Sequence, residues 1–314
     1  MARPLLFDTD IASDVDDAVA LALVLACPQE LELIAVTTVG RNGRVRAAAA
    51  ASLLGLAGRS DVEVCIGAER PVLRDASRFN WFGHEEACIA DARPAPVSDE
   101  PAAERIVRAA REHPGLEVLL VGPLTNMARA LALDPKLPER VGGVTIMGGH
   151  VREVRLGSFL CPYGIDYNLC ADPEATVAVL GSGCPLTLVT ADVTLQTWLR
   201  DEDVERIGAT GPVGSELVRQ IALWRPVQHR IFPAIGGQLA PDNASFLHDP
   251  LTVLALLDDA SIGWETLPIV PTLEGGVLRT LEMPPDLECG IPMRVATRVD
   301  AAAARNAILH RLLL

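Results

Sequence analysis

The sequence predicts an α/β fold, a single domain with an open, mainly parallel central sheet flanked by helices. Short apolar runs alternate with amphipathic segments through the first two thirds of the chain, which is the pattern of strand–helix–strand units. The 314 residues are 49% hydrophobic with a mean hydropathy of +0.27, enough to bury a large core. Because no repeat, low-complexity linker or charge block divides the chain, residues 1–314 are expected to form one domain.

The first two thirds supply the alternating elements, which we assign from apolar runs and their helical or alternating period. The expected strands cover residues 5–8, 33–38, 62–66, 116–121, 143–147 and 186–190. The expected helices cover residues 16–27, 44–57, 102–112, 125–133 and 173–180. Strands of this kind, connected by helices, pair in parallel with helices on both faces of the sheet.

The last third is mainly helical in its pattern. Helices are expected over residues 203–207, 214–228 and 250–257, followed by a small strand pair at 267–270 and 276–281 around the turn Glu274-Gly275. A strand at 294–299 and a helix at 301–313 end the chain. Two connections, 67–100 and 150–169, are unusually long, which favours a functional role.

Both long connections carry aromatic residues. Residues 80–86 read Asn-Trp-Phe-Gly-His-Glu-Glu, and residues 163–168 read Tyr-Gly-Ile-Asp-Tyr-Asn. Aromatic side chains beside Gly and His in a long loop favour a lid that stacks on a planar group. The alternative is a surface loop that its aromatic side chains pin in place.

Composition excludes several classes of protein. The net charge of -14 argues against nucleic acid and anionic membrane surfaces, so the substrate is expected to be neutral, cationic or bound through a metal. Seven cysteines without a CxxC pair favour neither a disulfide framework nor a zinc site. The apolar stretch at the start is too short for a signal peptide, and the run 18–28 is far below the roughly 20 residues of a membrane span. A soluble, cytoplasmic protein is therefore expected.

The segment after the first strand is the most informative. Five carboxylates fall within ten positions there, namely Asp8, Asp10, Asp14, Asp16 and Asp17. Open α/β sheets bind ligands at the carboxyl ends of their strands, and clustered carboxylates repel one another unless a cation or a polyhydroxylated ligand lies among them. The sequence therefore predicts a divalent-metal site with hard oxygen ligands. The alternative, an acidic loop that caps a helix, accounts for one or two of the five.

Four further segments have the character of loops at strand ends, namely 37–42, 121–126, 146–149 and 247–250. Gly122 is expected to allow a close backbone approach, and Thr125 to cap the following helix. In the last segment Asp249 is expected at the N-cap and Pro250 at the first helical position. Each segment alone is ordinary, but the combination is distinctive.

Together these motifs resemble the inosine–uridine-preferring nucleoside hydrolase family, whose members cleave the N-glycosidic bond of ribonucleosides. The resemblance extends from Leu6 to residues 299–301, and its most specific parts are the Asp cluster, 122–126, 166–168 and 248–250. It implies the family's fold with a Rossmann-like core. It also implies a homodimer or homotetramer and a role in purine or pyrimidine salvage.

Carried onto this chain, the resemblance implies a calcium ion bound by Asp10, Asp17, the main-chain carbonyl of Val121 and Asp249. Three carboxylates and a carbonyl, with water and sugar hydroxyls, supply the six to eight oxygen ligands that Ca²⁺ takes. The implied ribose contacts are Asp16, Asn42, Met147, Asp166 and Asn168.

The bond to be cleaved indicates a mechanism. Departure of the base leaves an oxocarbenium-like ribosyl centre, so water must reach C1′ and positive charge must be stabilised. We expect a calcium-bound water to attack with Asp10 as general base, and His248 to assist base departure in preference to His84 or His229. Base contacts are expected from Trp81, His84 and the stretch 224–229 that includes His229.

The chain departs from the family pattern at several positions. Two extra residues separate Asp10 from the Asp16-Asp17 pair, which leaves Asp14 open as a ligand, a hydroxyl contact or a cap, and the role of Asp8 is open too. The family usually has Thr at the position of Val121, Glu at Asp166 and often Gly at Glu86. These changes leave the preferred base open, including a modified ribosyl compound.

Two other functions compete. A haloacid-dehalogenase-type phosphatase also opens with a strand and Asp-x-Asp. It requires Thr or Val where this chain has Ala12, and a lysine for which Lys136 is the one candidate. A non-catalytic, calcium-dependent nucleoside or sugar-binding protein would not need the base Asp10 or the acid His248.

Overall fold

The computed structural model describes residues 2–89, 96–161, 166–287 and 289–314. Its strands, in chain order, are β1 (Arg3–Thr9), β2 (Leu31–Thr38), β3 (Glu63–Ile66), β4 (Val97–Ser98), β5 (Leu116–Leu120), β6 (Val141–Met147), β7 (Val154–Leu156), β8 (Phe159–Cys161), β9 (Leu186–Val189), β10 (Trp198–Arg200), β11 (Asn243–Phe246), β12 (Ile262–Glu274), β13 (Val277–Glu282) and β14 (Ile291–Val299).

The helices, also in chain order, are α1 (Asp16–Leu25), α2 (Gly43–Leu56), α3 (Ala102–Glu112), α4 (Thr125–Leu133), α5 (Tyr167–Ala171), α6 (Pro173–Leu180), α7 (Ala191–Thr194), α8 (Asp201–Gly208), α9 (Pro212–Ala234), α10 (His248–Leu256) and α11 (Ala301–Leu312). Short 3₁₀ turns lie at Ala76–Arg78, Glu85–Cys88, Leu137–Glu139 and Pro285–Leu287. Among the helices described, none has the length and apolar character needed to cross a membrane.

The main sheet has ten strands in the order β13-β12-β14-β9-β6-β5-β1-β2-β3-β4. The pairings from β14 to β4 are parallel, and β12 pairs antiparallel with both β14 and β13. The mainly parallel α/β sheet is therefore confirmed. The expected small strand pair is larger than predicted, because both of its strands extend the main sheet as an antiparallel edge.

The core lies on both faces of this sheet. Along β1 the side chains alternate, so that Leu5 and Phe7 pack into one buried cluster and Leu6 into the other. The first cluster takes side chains from α1, α2 and α10, and the second from α3, α4 and α6. Burial on both faces explains why the strands read as continuous apolar runs rather than alternating ones.

The strand order reverses at β1. From β1 the chain runs outward through β2, β3 and β4, then returns to place β5 on the other side of β1. Such a switch point opens a crevice at the carboxyl ends of the two strands, where open α/β sheets bind their ligands. Residues after β1 and after β5, including Asp10 and Val121, therefore meet at one edge of the sheet.

The predicted helices and strands are present, and the elements that the sequence did not predict are short. They are β4, the antiparallel pairs β7–β8 and β10–β11, and helices α5 and α7. Elements of two to five residues span too little of a helical or alternating period to be recognised. In addition, α9 continues to Ala234 with Pro226 and Pro233 inside it, beyond the expected end at residue 228.

Candidate functional site

A cavity of about 500 Å³ opens at the carboxyl ends of the central strands. Its polar lining includes Asp10, Asp14, Asp16, Asp166, Asn168, His248 and Asp249. Its apolar lining includes Phe82, Met147, Leu156, Trp224, Phe232 and Phe246. A volume of this size suits a small organic ligand with one polar and one flat apolar part.

The carboxylates that follow β1 converge. Oxygens of Asp14, Asp16 and Asp17 all lie within 4.8 Å of one another. Burial raises the pKa of Asp16 to about 7 and raises the pKa values of Asp14 and Asp17 well above their usual range, and repulsion by neighbouring carboxylates adds to each shift. The structure thus brings Asp14, whose role the sequence left open, into the acidic cluster.

Asp249 joins this cluster from a distant part of the chain. Its main-chain N–H donates to Asp16 Oδ2 at 3.1 Å. Burial raises the pKa of the Asp249 carboxyl well above its usual range, and the charges of Asp16 and Asp17 raise it further. Asp249 is the second residue of α10, whose N-cap is Leu247, so the expected N-cap role of Asp249 is wrong. Its carboxylate is directed to the site instead of the helix end.

The acidic cluster fits a hard divalent cation. Asp16 Oδ1 is buried and accepts no hydrogen bond from the described residues. The first helix has Val15 at its N-cap with no side-chain cap, so helix capping does not account for the carboxylates. Buried, mutually repelling oxygens of this kind are the donor set that Ca²⁺ or Mg²⁺ binds.

Arg46 supplies the positive charge that the chain itself places beside the cluster. Its side chain is fully buried, and its guanidinium donates to the main-chain oxygens of Asp10 and Ile11 and to Ser13 Oγ, the last two at 3.0 Å. Its Nε donates to Arg41 O at 3.0 Å. One residue of α2 therefore fixes the loop after β1 against the loop after β2.

Sequence reasoning missed Arg46. The sequence shows only a charged residue inside an alanine-rich helix, which does not indicate which loop its side chain meets. A buried arginine needs acceptors within reach, and the structure supplies them from Arg41, Asp10, Ile11 and Ser13. The loop after β1 is also strained, since Ala12 has a φ of 81°, a left-handed conformation that favours glycine.

Gly122 lets β5 approach the cluster. A Cβ on Gly122 would lie 2.9 Å from both the main-chain N and Oδ1 of Asp10, which confirms the close approach expected there. The neighbouring Val121 carbonyl, the expected calcium ligand, accepts a hydrogen bond from Asn168 Nδ2 at 2.9 Å. Asn168 Nδ2 also lies 3.1 Å from Met147 O, so its amide joins the ends of β5 and β6.

Asp166 and Asp8 have defined partners. Asp166 is the N-cap of α5 and accepts from Leu169 N at 3.0 Å, while burial raises the pKa of its carboxyl to about 6. Asp8 lies beneath the cavity, fully buried, and accepts from Thr37 Oγ1 and Asn126 Nδ2. Burial raises the pKa of Asp8 to about 7. Its contacts tie β1 to β2 and α4, which is a structural role.

Thr125, expected to cap α4, does not do so. The N-cap is Leu124, and the Thr125 hydroxyl donates to Asp172 Oδ2 at 2.7 Å. The Asn126 side chain holds the surrounding turn instead, because it donates to Thr38 O and accepts from Ala68 N, both at 2.9 Å. The Gly-Pro-Leu-Thr-Asn segment thus connects three strand ends.

His248 lies in the cavity wall at the start of α10. Its Nδ1 is 2.6 Å from Thr194 Oγ1, and its ring centroid is 5.2 Å from that of Phe246. Burial lowers the pKa of His248 to about 4, so its imidazole is neutral at pH 7. The direction of the hydrogen bond between Nδ1 and the Thr194 hydroxyl depends on the imidazole tautomer, and the tautomer with its proton on Nε2 can donate a hydrogen bond from Nε2.

Four expected substrate contacts lie outside the described cavity wall. His84 packs behind it, with its ring centroid 5.8 Å from that of Trp224 and 6.2 Å from that of Phe82. Trp81, which precedes Phe82 in the chain, is half-buried but does not line the cavity. His229 is exposed in a separate groove beside Arg225, and Asn42 is exposed in another groove.

In the first long loop, residues 67–100, hydrogen bonds of a buried carboxylate hold the aromatic segment in place. Glu85 is fully buried and accepts from the main-chain N–H groups of Phe82 and Gly83. Phe82 then lies in the cavity wall with its ring centroid 5.6 Å from that of Trp224. In the second loop, residues 163–165 of the expected lid lie outside the described residues.

Comparison with known proteins gives consistent results. A family model described as inosine-uridine preferring nucleoside hydrolase matches residues 5–306. The chain is 35% identical over 267 residues to a pyrimidine-specific ribonucleoside hydrolase RihA of a Shewanella species (strain ANA-3), covering 83% of this chain and 79% of the relative. It is 33% identical over 264 residues to the protein of that name from Citrobacter koseri, covering 82% and 80%.

Solved structures share the fold. A purine-preferring ribonucleoside hydrolase from Gardnerella vaginalis superposes with a TM-score of 0.83 at 24% sequence identity, covering 99% of this chain and 98% of that one. At this identity the likeness bears on the fold alone. The overall fold of the chain is therefore that of a known architecture.

Replacing Gly122 by alanine should damage the site. The added methyl group meets the main chain and carboxylate of Asp10, so we expect G122A to lose about 1–3 kcal/mol in unfolding free energy. Urea denaturation measures this loss. The matched control is G208A at the end of α8, where the added group meets a single side-chain atom, Val218 Cγ2, at 3.2 Å. Equal stability of the two variants would contradict the close packing at Asp10.

Removing the buried guanidinium of Arg46 should lower the unfolding free energy more than G122A does. R46M leaves carbonyls of the Asp10 loop without a donor and the carboxylates without their cation, so we expect a loss of about 3–5 kcal/mol. R46K keeps the charge but not the planar fork and should fall between R46M and the wild type. The control is R44M, on the same helix but exposed. A loss for R46M no larger than that for R44M would show that the network is dispensable.

Proposed function

The chain belongs to the inosine-uridine preferring nucleoside hydrolase family, and we propose that it hydrolyses the N-glycosidic bond of ribonucleosides to free base and ribose in a calcium-dependent reaction. The observation that carries the proposal is the buried carboxylate cluster of Asp14, Asp16 and Asp17 opening into a cavity with an aromatic wall. One part of the cavity suits hydroxyl groups and a cation, and the other suits a planar base.

The proposed cation ligands are Asp10, Asp17, the Val121 carbonyl and Asp249, with Asp14 added because its oxygens adjoin those of Asp16 and Asp17. When bound, calcium would supply positive charge that acidifies a water molecule and binds ribose hydroxyls. The choice of Ca²⁺ over Mg²⁺ rests on the family resemblance, and the number of available oxygens agrees with it, since Ca²⁺ takes six to eight.

Asp10 is the proposed general base. Its Oδ2 is occupied by Ser13 Oγ at 3.0 Å, which leaves Oδ1 to accept a proton from the attacking water. The water oxygen bonds to C1′ as the bond from C1′ to the base nitrogen breaks, and the bonding electrons leave with the base. The surrounding carboxylates favour the positive charge that develops on the ribosyl ring.

The remaining polar residues are proposed to hold the ribose. Asp16 has a free buried oxygen, Oδ1, that can accept from a hydroxyl group. Asp166 and Asn168 line the same cavity, as does Met147. Asn42, Trp81, His84 and His229 do not line it among the described residues, so their expected contacts with the substrate stay predictions.

His248 is proposed to assist departure of the base. As a neutral imidazole it donates a hydrogen bond from Nε2 to the base nitrogen that gains electron density, while Thr194 holds Nδ1. The aromatic rings of Phe82, Trp224 and Phe246 supply a flat apolar surface beside it. The name of the 35% identical relatives favours a pyrimidine ribonucleoside as the substrate.

The competing functions fit less well. A phosphatase of the type considered above needs a lysine at the site, and Lys136 is exposed at a turn away from the described cavity wall. A calcium-dependent binding protein would need neither the base Asp10 nor the acid His248, both of which line the cavity. A homodimer or homotetramer, a cytoplasmic location and a role in nucleobase salvage remain proposals that rest on the family resemblance.

Turnover of a ribonucleoside panel tests the proposal. We expect free base and ribose from uridine and cytidine in the presence of Ca²⁺, with inosine and adenosine slower, and loss of release after metal removal. D10N should lower kcat by roughly 10²–10⁴-fold because it removes the general base. The matched control is D61N, an exposed carboxylate paired with Arg59, which should leave the rate unchanged.

Two outcomes would overturn the proposal. Saturable binding of a ribonucleoside without release of base would favour the binding-protein alternative. Release that survives both metal removal and D10N would refute the assigned roles, whatever the substrate. A preference for inosine over uridine would refute only the choice of base.

A further inference from the structure

A second groove, of about 470 Å³, lies outside the cavity described above. The loop after β2, the loop after β3 and helix α4 form its walls, and it shares no described lining residue with the catalytic cavity. Three guanidinium groups line it, from Arg41, Arg70 and Arg129. Three cations in one groove are unexpected in a chain with a net charge of -14.

These arginines lack carboxylate partners. All three are exposed, and none forms an ion pair with any residue in the described ranges. Surface arginines elsewhere do pair, as Arg59 does with Asp61 at 2.9 Å and Arg74 with Glu174 at 2.8 Å. The positive charge of the groove is therefore not neutralised from within the described part of the chain.

The acids near the groove are already engaged. Glu69 Oε1 accepts from the main-chain N–H of Gly43 at 2.7 Å, at the start of α2. Asp75 accepts from Ser77 N at 2.8 Å, which together with the nearby arginines lowers the pKa of its carboxyl. Three guanidiniums facing two hydrogen-bonded carboxylates leave a net positive groove.

The walls of the groove are held in place. A Cβ on Gly67 would lie 2.1 Å from Thr38 O, so glycine is needed for the loop after β3 to pack on the end of β2. Arg129 donates from its guanidinium to Arg70 O at 3.3 Å, which joins α4 to the same loop. The arginines thus project from fixed backbone, which lowers the entropic cost of binding a ligand.

We propose that this groove binds the phosphoryl group of a small phosphate monoester. A guanidinium donates two parallel N–H bonds to phosphate oxygens, and a monoester dianion can be shared by more than one arginine. The volume exceeds that of a phosphate ion and leaves room for an attached sugar. An extended polyanion such as nucleic acid is disfavoured, because the overall charge of the chain repels it.

The groove is connected to the catalytic loop by one residue. The Arg41 carbonyl accepts from Arg46 Nε, and Arg46 in turn holds the main chain of Asp10 and Ile11. An anion bound by the Arg41 side chain would therefore be held by the same residue whose carbonyl accepts from Arg46, which in turn positions the main chain of Asp10. Binding of an anion in this groove does not depend on the reaction in the cavity.

Isothermal titration of the full-length protein at low ionic strength, without added calcium, tests the proposal. Ribose 5-phosphate should bind saturably with one site, and ribose alone should leave that site empty. R41Q/R129Q should weaken binding at least tenfold, because charge-assisted hydrogen bonds to two arginines are lost. The control is R298Q, an exposed arginine on β14 that also lacks an ion pair in the described residues.

Titration with inorganic phosphate distinguishes a site for a phosphate monoester from a site for a free phosphate ion. Weaker binding of inorganic phosphate than of ribose 5-phosphate, abolished by the same double variant, supports a monoester site. Equal binding of the two would refute the contribution of the sugar. Absence of saturable binding at millimolar ribose 5-phosphate, or binding that the double variant leaves unchanged, would overturn the proposal, and urea denaturation of R41Q/R129Q excludes unfolding as the cause of a loss.

Discussion

The rest of the site depends on the burial of several carboxylates around one guanidinium. Asp8, Asp10, Asp16, Asp17 and Asp249 are all buried, and Arg46 is the buried cation that touches their loop. Buried charges of one sign are costly unless they are paired, hydrogen-bonded or protonated. Side-chain donors meet part of this constraint: the hydroxyls of Thr9, Ser13 and Thr37 and the Asn126 amide donate to these carboxylates. Arg46 adds positive charge and donates to main-chain oxygens and Ser13 Oγ in the same loop.

The topology of the sheet makes this concentration of charge possible. Because β1 lies between β5 and β2, the Asp-rich loop lies beside Gly122, whose missing side chain leaves room for Asp10. Helix α10 packs against α1, so that Asp249 reaches Asp16 across 233 positions of sequence. The donor set is therefore assembled by long-range contacts, while most of its carboxylates come from one short loop.

The features that could be predicted from the sequence are those with a signal in a short stretch of residues. The strands and longer helices have a clear apolar period, and the Asp cluster is recognisable because five acids in ten positions exceed what capping needs. The role of Arg46 and the placement of His229 have no such signal. They depend on which face of a helix meets which loop, and His229 lies on α9 facing a different groove. The cap at Asp249 was mispredicted because Asp followed by Pro also fits an N-terminus, and tertiary contact with Asp16 moved the helix start to His248.

The balance of charge indicates what the cavity must receive. Burial and mutual repulsion raise the pKa values of Asp14, Asp16, Asp17 and Asp249, so proton uptake is one way to relieve the repulsion. Protonated carboxyl groups, however, could neither accept a proton from water nor favour a developing cation on a sugar ring. Arg46 supplies a single positive charge, and its hydrogen bonds go to main-chain oxygens and to Ser13 Oγ, not to the open oxygen of Asp16. A divalent cation relieves the same repulsion while keeping the oxygens ionised, which is why the electrostatics and the proposed chemistry point to the same occupant.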